Sequence, residues 1–219
     1  PIFSELNNEN LDCFDSVSVA YNLRFHPLVL KLKDLIKNEQ IISSQFYVGQ
    51  HLSGWRPQRD YRKIYSASSE AGGGVLLDLS HDLDLISFLL GDYKKLATIG
   101  GKYSDLEITS EDVYGALIST SLCPVITLQM NYIDRRAKRR ILINTNKNTF
   151  ELDIGEGTFY INEEVQEFDI SIDESYRNMH ISIMDKTSEA ACSLDEGIKI
   201  LEVIEKCLIA NKSKDWVVL

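Results

Sequence analysis

Asp78 and His81 lie three positions apart in GGGVLLDLSHDLD, residues 72–84, where a glycine cluster opens an apolar run. An imidazole near its ordinary pKa can take and return a proton around neutral pH, and a carboxylate one turn away can orient it, so acid/base chemistry is the first expectation. At helical spacing Leu76, Leu79, Leu83, Ile86 and Leu90 form one stripe, and Asp78 and His81 fall on nearly the opposite face among Leu77, Leu85 and Phe88. Titratable groups held in apolar surroundings have shifted pKa values, which marks candidate sites. The alternative is a hydrogen-bonded or solvated pair without chemistry. One histidine with Asp78, Asp82 and Asp84 lacks the clustered His and Cys that zinc demands, so no metal is expected.

The elements that must position this pair read as an α+β chain. Ser4 to Phe14 carries a short helical pattern. Val17 to Tyr21 reads as a strand, Pro27 opens a helix over Leu28 to Lys37, and Ile41 to His51 is a second strand, a βαβ-like start. His51 to Ala71 is a polar, aromatic-rich connection without periodicity, and loops of that length are usually functional or disordered. After the Gly72–Gly91 helix the period becomes two, over Leu96–Tyr103, Val113–Ser121, Val125–Tyr132, Arg140–Asn144, Thr149–Ile154, Thr158–Ile161 and Glu164–Ile170. Two closing helices, Ser175–Ala191 and Leu194–Ala210, cover one face, the second with Ser193 and Glu196 as a capping box. The architecture expected is a large, mostly antiparallel open sheet with helices on one face, in a single domain spanning residues 1–219. Its bare face should meet a partner, a substrate or a second subunit.

Composition narrows the function classes. The 219 residues, 44% hydrophobic, suffice for one large core, and the net charge of −10 argues against a nucleic-acid partner. The basic run Arg135, Arg136, Lys138, Arg139 and Arg140 reads as a solvated hairpin turn, with a substrate anion or a neighbouring subunit as the other possibility. Cys13, Cys123, Cys192 and Cys207 form no C-x-x-C, as ordinary thiols of a reducing compartment would not. No apolar stretch reaches the ~18 residues of a membrane span, and no signal-peptide pattern opens the chain, so a cytoplasmic protein is expected. No G-x-G-x-x-G follows a strand, so this chain is not expected to hold a dinucleotide in the Rossmann manner.

Four motifs in order carry a family resemblance: VAYNLRFHP (19–27), GGGVLLDLSHDLDLISFLLGD (72–92), the hairpin RRILINTNKNTFELD (139–153), and the closing segment YRNMHISIMDKTSEAACSLDEGIKILEVIEKCLIANKSKDWVVL (176–219). Together they resemble the C-terminal substrate domain of the Gfo/Idh/MocA oxidoreductases, with a glyceraldehyde-3-phosphate-dehydrogenase-like fold. The resemblance implies an N-terminal Rossmann domain that binds NAD or NADP and precedes this chain. Pro1 and Ile2 are similar to the tail of the family's E-K-P motif. It also implies that the chain alone does not turn over, that sheet faces pair copies into a homo-oligomer, and that the substrate is a sugar, sugar derivative or cyclitol. Y-S-A-S running into G-G-G most resembles members from bacterial surface-sugar biosynthesis.

By the same resemblance His81 is the base that takes the hydroxyl proton, and Asp78 orients it or binds an adjacent hydroxyl. Many members space this pair D-x-x-x-H, whereas this chain has D-x-x-H, which changes the relative aim by roughly 100° of helix rotation. Asn22 and Arg24 match positions that face the cofactor; for Arg24 the other reading is a buried tie between strand and helix. Trp55, Arg56, Asp60 and Tyr61 match the variable substrate loop, where aromatic faces and charged rims suit sugars, with plain packing as the other role for Trp55. A non-catalytic binding or dimerisation module and a stand-alone acid/base enzyme using His81 remain the competing readings.

Overall fold

The computed structural model describes residues 17–185 and 190–219. The expected helix at Ser4–Phe14, Cys13, and the Pro1–Ile2 motif lie outside the described residues.

Strand β1 (Ser18–Val19) is followed by a 3-10 turn (Asn22–Phe25), helix α1 (Pro27–Ile36), strand β2 (Ile41–Gly49) and short helix α2 (Leu52–Trp55). Two 3-10 turns, Tyr61–Lys63 and Tyr65–Ala67, lead to α3 (Val75–Asp78) and α4 (Ser80–Leu90). Then come β3 (Tyr93–Gly101), β4 (Val113–Thr120), β5 (Val125–Asn131), β6 (Lys138–Thr145), β7 (Thr149–Asp153), β8 (Thr158–Ile161) and β9 (Glu164–Glu167). The chain closes with α5 (Ile172–Asp185), β10 (Cys192–Ser193), α6 (Leu194–Ser213) and β11 (Val217–Val218).

The main sheet runs β11-β3-β4-β5-β2-β6-β7-β8-β9. Only the β2–β5 pairing is parallel; every other neighbour in that sheet is antiparallel. The fold class is therefore the α+β arrangement expected, with two corrections. First, β2 does not precede the meander but inserts at its centre, so the link from β5 to β6 crosses the end of β2. Gly49 permits that crossing, because a Cβ there would stand 2.5 Å from both the Asn131 and Asp134 side chains. Second, the βαβ-like start does not form. β1 pairs with β10 instead of β2, and the chain after it coils into the 3-10 turn, which buries Asn22, Leu23, Arg24 and Phe25.

One face of the sheet is covered. Helix α6 lies across β3 and β4: the hydroxyls of Thr98 and Tyr114 both donate to the Cys207 carbonyl, at 2.7 and 2.9 Å, and Asn211 brackets Gly100. The Ser193–Glu196 capping box that starts α6 forms as the sequence indicates, satisfying amides that a helix N-terminus otherwise leaves unpaired. At the other end α1 sets the Lys31 ammonium over the rings of Phe159 and Phe168. A core of Phe46, Ile126, Leu128, Ile141, Leu152 and Phe159 fills the layer between. The opposite face is bare: cross-strand register aligns Val165, Tyr160, Glu151, Leu142, Gln45, Thr127, Leu117 and Ala97 in one row. Ile99, Leu117 and Val125 on that side are 63%, 48% and 53% exposed.

Candidate active site

The glycine cluster is there to seat a loop against a helix start. A Cβ on Gly73 would stand 2.3 Å from the Tyr65 carbonyl oxygen, and Gly74, at φ +132°, would press one to 2.2 Å from Glu111 Oε1. Side chains at these two positions would lift the 65–67 turn and Glu111 away from α3. The Glu111 carbonyl and carboxylate accept from the Val75 and Leu76 amides, at 3.1 and 3.3 Å, so the loop before β4 anchors the helix start.

The helix expected from Gly72 to Gly91 is not continuous. Leu79 adopts φ −103°, ψ 22°, which ends α3 at Asp78 and restarts the chain as α4 at Ser80. Asp78 and His81 consequently sit on either side of a break, and no hydrogen bond joins them. Each has its own surroundings.

Asp78 faces the end of β5. Its Oδ2 accepts from the Tyr132 hydroxyl at 2.7 Å, and the Tyr132 ring meets Trp55 edge-on at 5.2 Å. Trp55 Nε1 donates to the Gln50 carbonyl at 3.2 Å, tying α2 to the same corner. Burial first, then the Asp78 carboxylate, pushes the Tyr132 phenol up; the same two causes act in the same order on Tyr65. Burial also raises the Glu111 carboxyl.

His81 faces the other way. Its ring stands edge-on to Tyr21 at 5.2 Å, and its Nδ1 is buried with no hydrogen-bond partner. The residue as a whole is half-buried, not sealed. Desolvation, aided by the positive Arg139, lowers its pKa to about 4, so the ring is neutral at pH 7. Arg139 lies beside it through a two-pronged contact with the buried Asp82, Nε to Oδ1 at 3.2 Å and Nη2 to Oδ2 at 3.0 Å.

Arg24 is 1% exposed, and its three guanidinium nitrogens are engaged: Nε and Nη2 on Asp84 at 2.7–3.1 Å, Nη1 on Glu196 at 3.0 Å. It ties the first turn to α4 and α6, the structural one of its two sequence readings. Asn22 is 3% exposed and donates to Ser175 Oγ at 2.7 Å. Neither side chain presents a free face to a dinucleotide, so the expected cofactor contact does not fit these two residues. His26, unassigned by the sequence, caps α1 by accepting the Leu28 amide on Nδ1.

The substrate-loop residues divide. Trp55 belongs to the Asp78 corner. The exposed Arg56 stands over the Tyr65 ring at 5.6 Å. Asp60 caps the 61–63 turn and grips Arg62 through both oxygens, while the Tyr61 hydroxyl accepts the Glu107 amide at 3.4 Å. The basic run is not a free turn. Lys138, Arg139 and Arg140 belong to β6, Arg136 pairs with Glu156, Arg139 with Asp82, and Arg140 with Glu151 and Asp153. Tyr132 and Tyr21 complete the site although the sequence assigned them no role, and Arg139 enters it from the basic run; their partners lie tens of residues away, and no local spacing announces them.

No family model matches the chain, and no curated protein matches it by sequence. Solved structures match it by shape. A levoglucosan dehydrogenase in complex with NADH and levoglucosan superposes with a TM-score of 0.78 at 13% identity, over 91% of this chain and 65% of that one. The super-repressor mutant of Gal80p from Saccharomyces cerevisiae gives 0.77 at 13% identity, over 93% and 65%. An inositol dehydrogenase homologue from Azotobacter vinelandii, complexed with NAD+, gives 0.74 at 14%, over 93% and 65%. The chain thus spans less than two thirds of each of these proteins. The likeness is one of fold: the α+β arrangement with a large, mostly antiparallel sheet is shared with these proteins.

Proposed function

We propose that this chain furnishes the substrate wall of an NAD- or NADP-dependent oxidoreductase acting on a hydroxyl of a sugar, sugar derivative or cyclitol, the dinucleotide being gripped by a separate domain. The observation that carries the proposal is the His81 imidazole: half-open, neutral at pH 7, with a buried nitrogen left without a partner, in a fold shared with NAD-bound dehydrogenases. An unpaired buried polar atom costs about 1–3 kcal/mol, a penalty that a bound ligand or an ordered water removes.

The nicotinamide, when bound, supplies the hydride acceptor. The chain's own residues handle the proton and the position of the substrate. His81 is the base for the hydroxyl proton. Asp78 does not orient it; held at Oδ2 by Tyr132, its carboxylate accepts from a neighbouring substrate hydroxyl. Trp55 keeps the Tyr132 ring, and so the carboxylate, in place. Asn22 and Arg24 act only by holding the first turn against α4, α5 and α6. The bare sheet face, with Ile99, Leu117 and Val125 exposed, pairs two copies of the chain.

The test is the His81→Ala variant of the protein joined to its dinucleotide-binding domain. Dinucleotide affinity should be retained and turnover should fall about 10²–10⁴-fold, the usual share of a general base. His81→Gln, closer in size, guards against a packing effect. Unchanged turnover in both would remove His81 from the reaction. The likeness to Gal80p, described as a super-repressor mutant, favours a second reading, a binding module without chemistry. Under it, no substitution at His81 alters any turnover because there is none.

A further inference from the structure

The connection from α2 to α3 concentrates positive charge in an acidic protein. Residues 56–74 contain Arg56, Arg59, Arg62 and Lys63 against two acids, Asp60 and Glu70, in a chain of net charge −10. Asp60 is already committed. Its two oxygens accept from Arg62 Nε and Nη2 at 2.8 and 2.9 Å and from the Arg62 amide at 3.1 Å, and Arg62 continues to Glu107 at 3.3 Å. Arg62 pulls the Asp60 carboxyl down to about 2, so the pair is closed at working pH. Arg56, Arg59 and Lys63 remain, and among the described residues none of the three pairs with a carboxylate.

These three cations line one cavity of about 530 Å³, together with Asp60, Ile64 and Tyr65. Like charges gathered around one concavity repel each other unless an anion enters, and guanidinium forks match carboxylate and phosphate oxygens in pairs. Tyr65 connects this cavity to the reacting corner, since its phenol feels the Asp78 carboxylate on one side and the Arg56 guanidinium on the other. A substrate whose hydroxyl reaches Asp78 therefore has a cationic recess one aromatic ring away.

We propose that Arg56, Arg59 and Lys63 form an anion subsite, and that the substrate carries a carboxylate or phosphate group held there while its neutral ring is presented to Asp78. The inference rests on the preceding reading for which end of the substrate reacts, but the subsite itself is testable without turnover.

Isothermal titration of the chain with sodium glucuronate, with inorganic pyrophosphate and with glucose separates the cases. Binding of glucuronate or pyrophosphate but not of glucose is expected, weakening as salt is raised. It should fall at least about tenfold in the double variant Arg59→Gln/Lys63→Gln, whose sites are both exposed; circular dichroism checks that the fold is kept. Preference for glucuronate names a sugar acid, and preference for pyrophosphate names a phosphorylated or nucleotide-linked sugar. No binding of either anion, or equal binding by the variant, overturns the subsite. A chain that binds the anion while the joined protein ignores His81 substitutions overturns the redox reading alone. A chain that binds no anion while those substitutions abolish turnover overturns the subsite alone.

Discussion

Asp84→Asn is the substitution that most sharply tests how Arg24 is used. The Arg24 fork lies on Asp84 with Nη2 to Oδ1 at 2.7 Å and Nε to Oδ2 at 2.9 Å, and the two side chains are 2% and 1% exposed. Neutralising Asp84 leaves a buried guanidinium whose other carboxylate, Glu196, has a side chain 45% exposed and shared with the α6 cap. Breaking such a buried pair from one side costs about 3–5 kcal/mol, because the surviving charge is stranded out of water. Glu196→Gln, at the solvent edge and still able to cap, should cost about 1 kcal/mol or less. Replacing both partners, Arg24→Met with Asp84→Leu, should recover much of the loss, since no uncompensated charge remains. Urea unfolding followed by the fluorescence of Trp55 and Trp216 measures all three. If Asp84→Asn costs less than about 1 kcal/mol, or no more than Glu196→Gln, the buried-tie reasoning fails and Arg24 is again available to a ligand.

Two further outcomes follow from the same structure. His26 and His81 are both lowered to about 4, chiefly by desolvation, against 6.5 when unfolded, so each should titrate near 4 by NMR. Their contribution to stability is complete above 6.5 and is lost as pH falls through 4, at most about 3 kcal/mol each at 1.36 kcal/mol per unit; a ring titrating above 6 would sink this. For the sheet face, Leu117→Glu places a carboxylate among Ile99, Leu117 and Val125 and should turn a dimer into a monomer on sedimentation, with a monomeric parent chain refuting the pairing.

Period-two alternation made strands such as β4, β5 and β7 readable, because each has one face on the core and one on the bare side, and the side-chain pattern records that directly. The capping box at Ser193 was equally plain, since both partners lie within one turn. The position of β2 was not legible: its partners β5 and β6 lie some eighty and a hundred residues further along, and nothing local says that a strand will enter a gap in a meander. At the site, the spacing of Asp78 and His81 suggested a joint face. The break at Leu79, with φ −103° and ψ 22°, separates them, and no residue type there announces it. Arg24 had two readings in the sequence, ligand group or buried tie, and its carboxylates arrive from α4 and α6 rather than from nearby sequence.

The crossing of β5 to β6 over the end of β2 also makes the sheet two antiparallel ribbons stitched along a seam. Tyr132 hangs from that seam: its carbonyl accepts the Leu52 amide at 3.0 Å, its amide reaches the Asp112 carbonyl at 2.9 Å, and Tyr47 fastens Asp134 two residues on at 2.7 Å. Any slip of one ribbon against the other is therefore carried to the Tyr132 hydroxyl and on to Asp78. The join that assembles the scaffold is also the gauge that sets the height of the carboxylate.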